Sequence, residues 1–116
     1  MSNRDTVPRY HPTVITRERE VLERSVHALA KQAGAAYELI EELHEAGFGP
    51  SAPTMLAAKR LRVELLQTKG DLERELRKWV LDCRRCDRLV HWVEGVGPTP
   101  GHWAHREPAP AHEPVL

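Results

Sequence analysis

Between residues 22 and 43 the apolar positions step alternately by four and three: Leu22, Val26, Leu29, Ala33, Ala36, Ile40 and Leu43. That spacing keeps one side of an α-helix apolar and predicts an unbroken a/d seam of the coiled-coil kind. Glu, Arg, Lys and Gln fill seven of the fifteen positions between. Thr16 is the expected cap, with Glu18 and Glu20 meeting the helix dipole in the first turn. The run Ala33-Gly34-Ala35-Ala36 carries little bulk, so another element can approach closely there. Gly47 suits a left-handed C′ position with Phe48 folding back on Leu43, and Gly49-Pro50 prevents continuation.

A second helix is expected from Pro53 to about Leu81, with Ser51 as its cap and Pro53 in its first turn. Its apolar positions are Leu56, Leu61, Leu65, Leu72, Leu76 and Trp79, with Ala58 and Val80 beside them. The spacing slips once between Thr68 and Leu72, a stutter-like irregularity. Two long helices joined by a short turn lie antiparallel. Each arm would be roughly 40–45 Å long at 1.5 Å per residue. One hairpin buries only one face, so a partner is expected, either a second copy or another protein. The first arm carries Glu38, Glu41, Glu42 and Glu45, and the second Lys59, Arg60, Arg62 and Lys69. Opposite charge across the pair would fix orientation and register.

Beyond Leu81 the pattern changes. Residues 89–93 and 102–105 read as short strands, and residues 94–101 as a Gly/Pro loop between them. The expected fold is therefore mainly α: a long antiparallel two-helix coiled-coil hairpin with a small β-containing knuckle at its C-terminal end. Residues 1–15, with Pro8 and Pro12 and no periodicity, read as a flexible arm. Residues 16–82 form the hairpin, and 83–116 the knuckle with a Pro-rich tail.

Composition narrows the function. The 116 residues carry zero formal net charge, so no global field draws in nucleic acid or an anionic membrane. No run has the length of a transmembrane helix, and the polar start lacks the apolar core of a signal peptide. A cytoplasmic protein without a membrane contact is expected, and its two cysteines should be reduced there.

Those cysteines are Cys83 and Cys86, two thiols separated by two residues. One tight turn then places both sulfurs at adjacent corners of a tetrahedron, which is how zinc knuckles begin. Arg84 and Arg85 between them would favour the thiolate. A redox dithiol would open a helix in a βαβ unit, which this chain lacks. The remaining corners have four candidates, His91, His102, His105 and His112. His105 and His112 are the preferred pair, although their spacing is slightly wide, and His102 with His105 is slightly narrow. Metal would also answer a folding problem, because about thirty residues with few apolar groups rarely fold without a staple.

Cys83-x-x-Cys86, the apolar strand, Trp103-x-His105 and His112 together resemble the C-terminal pattern of small uncharacterised actinobacterial and phage proteins with a zinc-ribbon-like knuckle. The resemblance covers the last quarter of the chain. It implies zinc ligands at Cys83, Cys86, His105 and His112, with Trp103 packing against the site. In layout alone, a coiled-coil hairpin followed by a zinc finger is similar to the DksA/TraR regulators of RNA polymerase. The second cysteine pair and acidic tip of that family are missing; the tip here reads Glu45-Ala46-Gly47-Phe48-Gly49-Pro50-Ser51.

Arg77, Arg84, Arg85 and Arg88 converge on the knuckle as a candidate anion or nucleic-acid contact, diluted by Glu73, Glu75, Asp82 and Asp87. No phosphate loop, Ser/His/Asp constellation or HExxH is present, and a Cys2His2 site leaves no open position for an activated water. The sequence therefore points to a non-catalytic zinc-binding interaction module without a small-molecule substrate. A protein partner in transcription regulation is its expected setting. Direct nucleic-acid binding through the basic base is the alternative, and a structural homodimeric accessory protein of a phage or mobile element is the third.

Overall fold

The computed structural model describes residues 12–86, 88–106 and 112–116, with side chains from residue 17 onward. Helix α1 spans Pro12–Glu45 and α2 spans Pro53–Arg77, followed by strands β1 (Val80–Asp82), β2 (Leu89–Val93) and β3 (His102–His105). The fold is mainly α, as expected: a helical hairpin with a three-stranded antiparallel sheet of order β1-β2-β3 at its base. The molecule is 61 Å along its long axis.

The α1 seam holds. Val26, Ala33 and Ala36 are buried, and Leu22, Leu29, Ile40 and Leu43 are half-buried. The helix begins earlier than Thr16, at Pro12. A proline at the first helical position lacks only an N–H that would have no intrahelical acceptor, so it starts a helix rather than breaking one. Of the expected flexible arm, residues 1–11 lie outside the described residues, and 12–15 belong to α1.

The hairpin turn follows the expected Schellman pattern. The Gly47 N–H bonds to the His44 carbonyl and the Phe48 N–H to the Leu43 carbonyl, both at 3.0 Å, with Gly47 at φ 95°. The start of α2 differs: its N-cap is Ala52, with no side-chain cap, rather than Ser51. Pro53 at the first position makes up for the weak cap by pre-setting φ.

The α2 seam is also not the one expected. Leu56 and Leu61 are each 47% exposed, whereas Met55, Ala58, Lys69 and Leu76 are buried. The inward positions are Met55, Ala58, Arg62, Leu65, Lys69, Leu72 and Leu76, a regular alternation of three and four. The stutter at residues 68–72 therefore does not exist: a lysine occupies the seam position, and only an apolar count misses it. Arg62 holds another, its guanidinium 5.4 Å from the centre of the Tyr37 ring. Among the described residues no ion pair joins α1 to α2. Register rests on the seam and on Arg62 over Tyr37, not on the expected charge pairing.

Helix α2 ends at Arg77, four residues before Leu81, and Val80–Asp82 is a strand. The Lys78 and Trp79 N–H groups close the last turn on Glu75 and Leu76. Val80, Leu81 and Asp82 instead pair with His91, Val90 and Leu89. Strand β3 pairs on the other side of β2, with Trp92 opposite Trp103 and Val90 opposite His105.

The sheet docks on the hairpin through Trp92, which forms a buried cluster with Val26 and Leu76. Trp103 packs against that cluster together with Leu22, Leu72 and Trp79. The two indoles meet edge to face, with ring centres 5.3 Å apart. Beneath them lies a buried polar network. Glu73, 1% exposed, accepts from Trp92 Nε1 at 3.1 Å and from the Gly95 N–H at 2.8 Å through Oε2. Its Oε1 faces the Lys69 ammonium at 2.5 Å as an ion pair, without the angle of a hydrogen bond. Lys69 Nζ in turn donates to the Gly95 carbonyl at 3.1 Å. The loop between β2 and β3 is thereby sewn to α2.

Gly101 permits this closeness. A Cβ there would stand 2.6 Å from Trp92 Nε1 and 2.7 Å from Glu73 Oε2, and closer still to the Val93 carbonyl. Gly101→Ala is expected to destabilise the fold by on the order of 2–3 kcal/mol, as overpacking does. Gly49→Ala, where nothing lies within 4 Å, should be near neutral. Paired denaturant titrations measure the difference; equal midpoints would contradict the crowding at Gly101.

Candidate metal centre

The β1–β2 connection makes a tight turn over residues 84–86. The Cys83 N–H bonds to the Arg88 carbonyl at 2.9 Å, closing the turn so that Cys83 and Cys86 face the same space. His105 arrives at the end of β3, opposite Val90. His112 arrives from the tail, which runs back beside the turn. The Arg84 N–H donates to the Val115 carbonyl at 2.7 Å, and the Val115 N–H donates to Cys83 Sγ at 3.4 Å. Three separate stretches of chain thus deliver four side chains to one point.

Their ligating atoms all lie within 4.8 Å of one another. Cys83 Sγ is 3.5 Å from His112 Nε2, and Cys86 Sγ is 3.4 Å from His105 Nε2. The sulfur–nitrogen edge of a zinc tetrahedron, from its usual bond lengths, is about 3.6 Å. The four donors therefore lie close enough together to hold one tetrahedral ion. Two thiolates and two imidazoles suit zinc above hard cations, which prefer oxygen. The imidazole rings cross at 85°, so neither blocks the other's approach.

The site also prepares its thiolate. Burial by itself would raise the Cys83 thiol above its ordinary value of 9.0. The Val115 N–H, the His112 ring, the Arg85 N–H and the His105 ring outweigh burial and bring it down to about 5. The Arg85 contribution comes from its backbone, not from the guanidinium charge that the sequence suggested. Cys83 is fully buried and Cys86 half-buried.

The structure brings together Cys83, Cys86, His105 and His112, and leaves His91 and His102 apart. Strand alternation explains the separation. Val90 and Trp92 on β2 are buried, so His91 between them faces the other side of the sheet. His102 lies an odd number of residues from His105 on β3 and is exposed.

Trp103, expected against the metal, packs instead on the hairpin cluster and donates through Nε1 to Glu23 Oε1. It shares a strand and a face with His105, so it fastens the same strand that carries a ligand. The four arginines are not equivalent. Arg77 pairs with Glu94 at 3.0 Å, tying α2 to the loop. Arg84, Arg85 and Arg88 are exposed on the turn, and among the described residues no ion pair involves them. The residues that sequence reasoning missed are Lys69, Glu73 and Glu23, which position the sheet. A seam lysine with a glutamate four residues on was the available signal for the first two.

Among the described residues no helix is long and apolar enough to cross a membrane. Comparison with protein-family models, curated proteins and solved structures finds no match, so the geometry above carries the functional reading.

Proposed function

We propose that the protein binds one zinc ion through Cys83, Cys86, His105 and His112 and works as a non-catalytic interaction module. The observation that carries this is the convergence of four soft and borderline donors from three chain segments. Bound there, zinc would supply a structural clamp: it closes the β1–β2 turn, the end of β3 and the tail on one another. With all four corners taken by side chains, none is left for an activated water. The hairpin then presents its tip, with Phe48 at 41% exposure, to a protein partner.

Native mass spectrometry tests the metal reading. One zinc per chain is expected in the parent protein and in His102→Ala. In His112→Ala, affinity should fall by roughly a hundred-fold or more, since a first-sphere ligand matters at least as much as the outer-shell partners whose loss costs that much. Zinc held equally by both variants would defeat the assignment of His112.

A second reading is favoured by the exposed Arg84, Arg85 and Arg88 on the turn: contact with nucleic acid. It predicts DNA or RNA affinity that falls steeply with salt and is lost on reversing those three charges. Absence of salt-sensitive binding would leave the protein-contact reading alone.

A further inference from the structure

The two sulfurs of the candidate centre are not equally placed. Cys83 is fully buried, and the tail bonds to it directly. The Val115 N–H donates to Cys83 Sγ at 3.4 Å, and the Arg84 N–H holds the Val115 carbonyl at 2.7 Å. His112 Nε2 stands against the same sulfur at 3.5 Å. Cys86, at the other end of the turn, is half-buried. Its sulfur meets His105 Nε2 at 3.4 Å, and among the described residues no main-chain N–H donates to it.

This difference decides which thiolate a reagent reaches. A sulfur reacts through an accessible lone pair. At Cys83, burial removes the access, and the N–H bond occupies density that an attack would use. At Cys86 neither obstacle stands. The two sulfurs nevertheless lie within 4.8 Å of each other. Residues three apart in a tight turn have Cα atoms within about 7 Å, a span that overlaps the range of a disulfide.

We propose that Cys86 is a modification site for peroxide, and that its oxidation opens the metal centre. The inference rests on the zinc reading. The Cys86 thiolate attacks one oxygen of hydrogen peroxide: an S–O bond forms, the O–O bond breaks and hydroxide leaves. The Cys83 thiolate then attacks the Cys86 sulfur, and the S–S bond forms as the S–O bond breaks and a second hydroxide leaves. The two cysteines give up two electrons, and the peroxide takes them. A disulfide offers zinc no thiolate, so the ion loses two of its four ligands and departs. The turn stays closed by the new bond, while the clamp that joins β3 and the tail to it is undone.

The test uses the zinc-loaded full chain, its zinc first counted by native mass spectrometry. Limiting N-ethylmaleimide followed by peptide mapping should label Cys86 at least about ten-fold faster than Cys83, and the two should react alike in denaturant. Hydrogen peroxide should yield a Cys83–Cys86 disulfide and one released zinc for each disulfide formed, read with a colorimetric chelator. Dimedone added during the reaction should trap a sulfenic acid at Cys86. Equal labelling of the two cysteines in the folded chain, selectivity that persists in denaturant, or a disulfide formed with zinc retained would overturn the proposal. A chain that holds no zinc at the outset would defeat the metal reading and the release step with it. Zinc present with Cys83 labelled as fast as Cys86 would defeat the proposal alone.

Discussion

With zinc bound as proposed, its chelation, or replacing Cys83 by serine, is expected to unfold the sheet while leaving the helical hairpin standing. The hairpin has its own seam, closed turn and cluster of small buried residues, Ala33, Ala36 and Ala58. The sheet has β-strands of three, five and four residues. Among its strand residues only Val90 and Trp92 are fully buried apolar groups. Burying one such side chain yields about 1.5–3 kcal/mol, and ordering the backbone costs roughly 1–2 kcal/mol per residue. Those figures leave the sheet short. Structural zinc contributes about 10–16 kcal/mol of apparent binding energy in small finger peptides, which is enough to reverse the balance. The experiment compares far-ultraviolet circular dichroism with tryptophan fluorescence as chelator is added. Helicity should be mostly retained while the Trp92 and Trp103 environment changes. A tryptophan signal indifferent to chelation would mean that the Val26–Leu76–Trp92 cluster holds the sheet unaided.

Glu73→Ala should be the most damaging substitution outside the candidate metal centre, costing about 3–5 kcal/mol. Removing the carboxylate leaves Lys69, 3% exposed, as a buried charge without its partner. It also removes the acceptor of Trp92 Nε1 and of the Gly95 N–H. The double variant Lys69→Met, Glu73→Leu is expected to be more stable than Glu73→Ala alone, because the pair's desolvation cost disappears with both charges. Chemical denaturation of the single and double variants measures this. A double variant as unstable as the sum of its two singles would show that the charges are not coupled.

The cluster of candidate metal donors was the most legible part of the sequence, and the network beside it the least. Two cysteines separated by two residues restrict what a turn can do, and only four histidines follow them. Choosing among those four on physical grounds needs strand register, which fixes that His105 and His91 face opposite sides. The α1 seam could be read directly because every position on it is apolar. The α2 seam could not, because Arg62 and Lys69 sit where Leu was sought, and Leu56 and Leu61 drew the pattern one position away. Both inward cations have partners: the Tyr37 ring of α1 for half-buried Arg62, and Glu73, one turn further along α2, for buried Lys69. The end of α2 was misplaced for a related reason: Val80 and Leu81 continue the apolar pattern, but their pairing with β2 decides their conformation.

Every described contact that fastens the sheet and its loop lies at Gly34 or nearer the base of the hairpin. On α1 these contacts reach from Leu22 and Glu23 to Gly34, which faces Pro98, and on α2 they begin at Lys69. Above that level the two arms meet only each other and the turn. Arm length is therefore a free variable of the design. Adding one heptad to each helix on the tip side, after Ala36 in α1 and before Lys69 in α2, would preserve the seam and carry the tip about 10.5 Å farther out. The docking of the sheet would be untouched, so the reach of the molecule could be reset without altering what stands at its base.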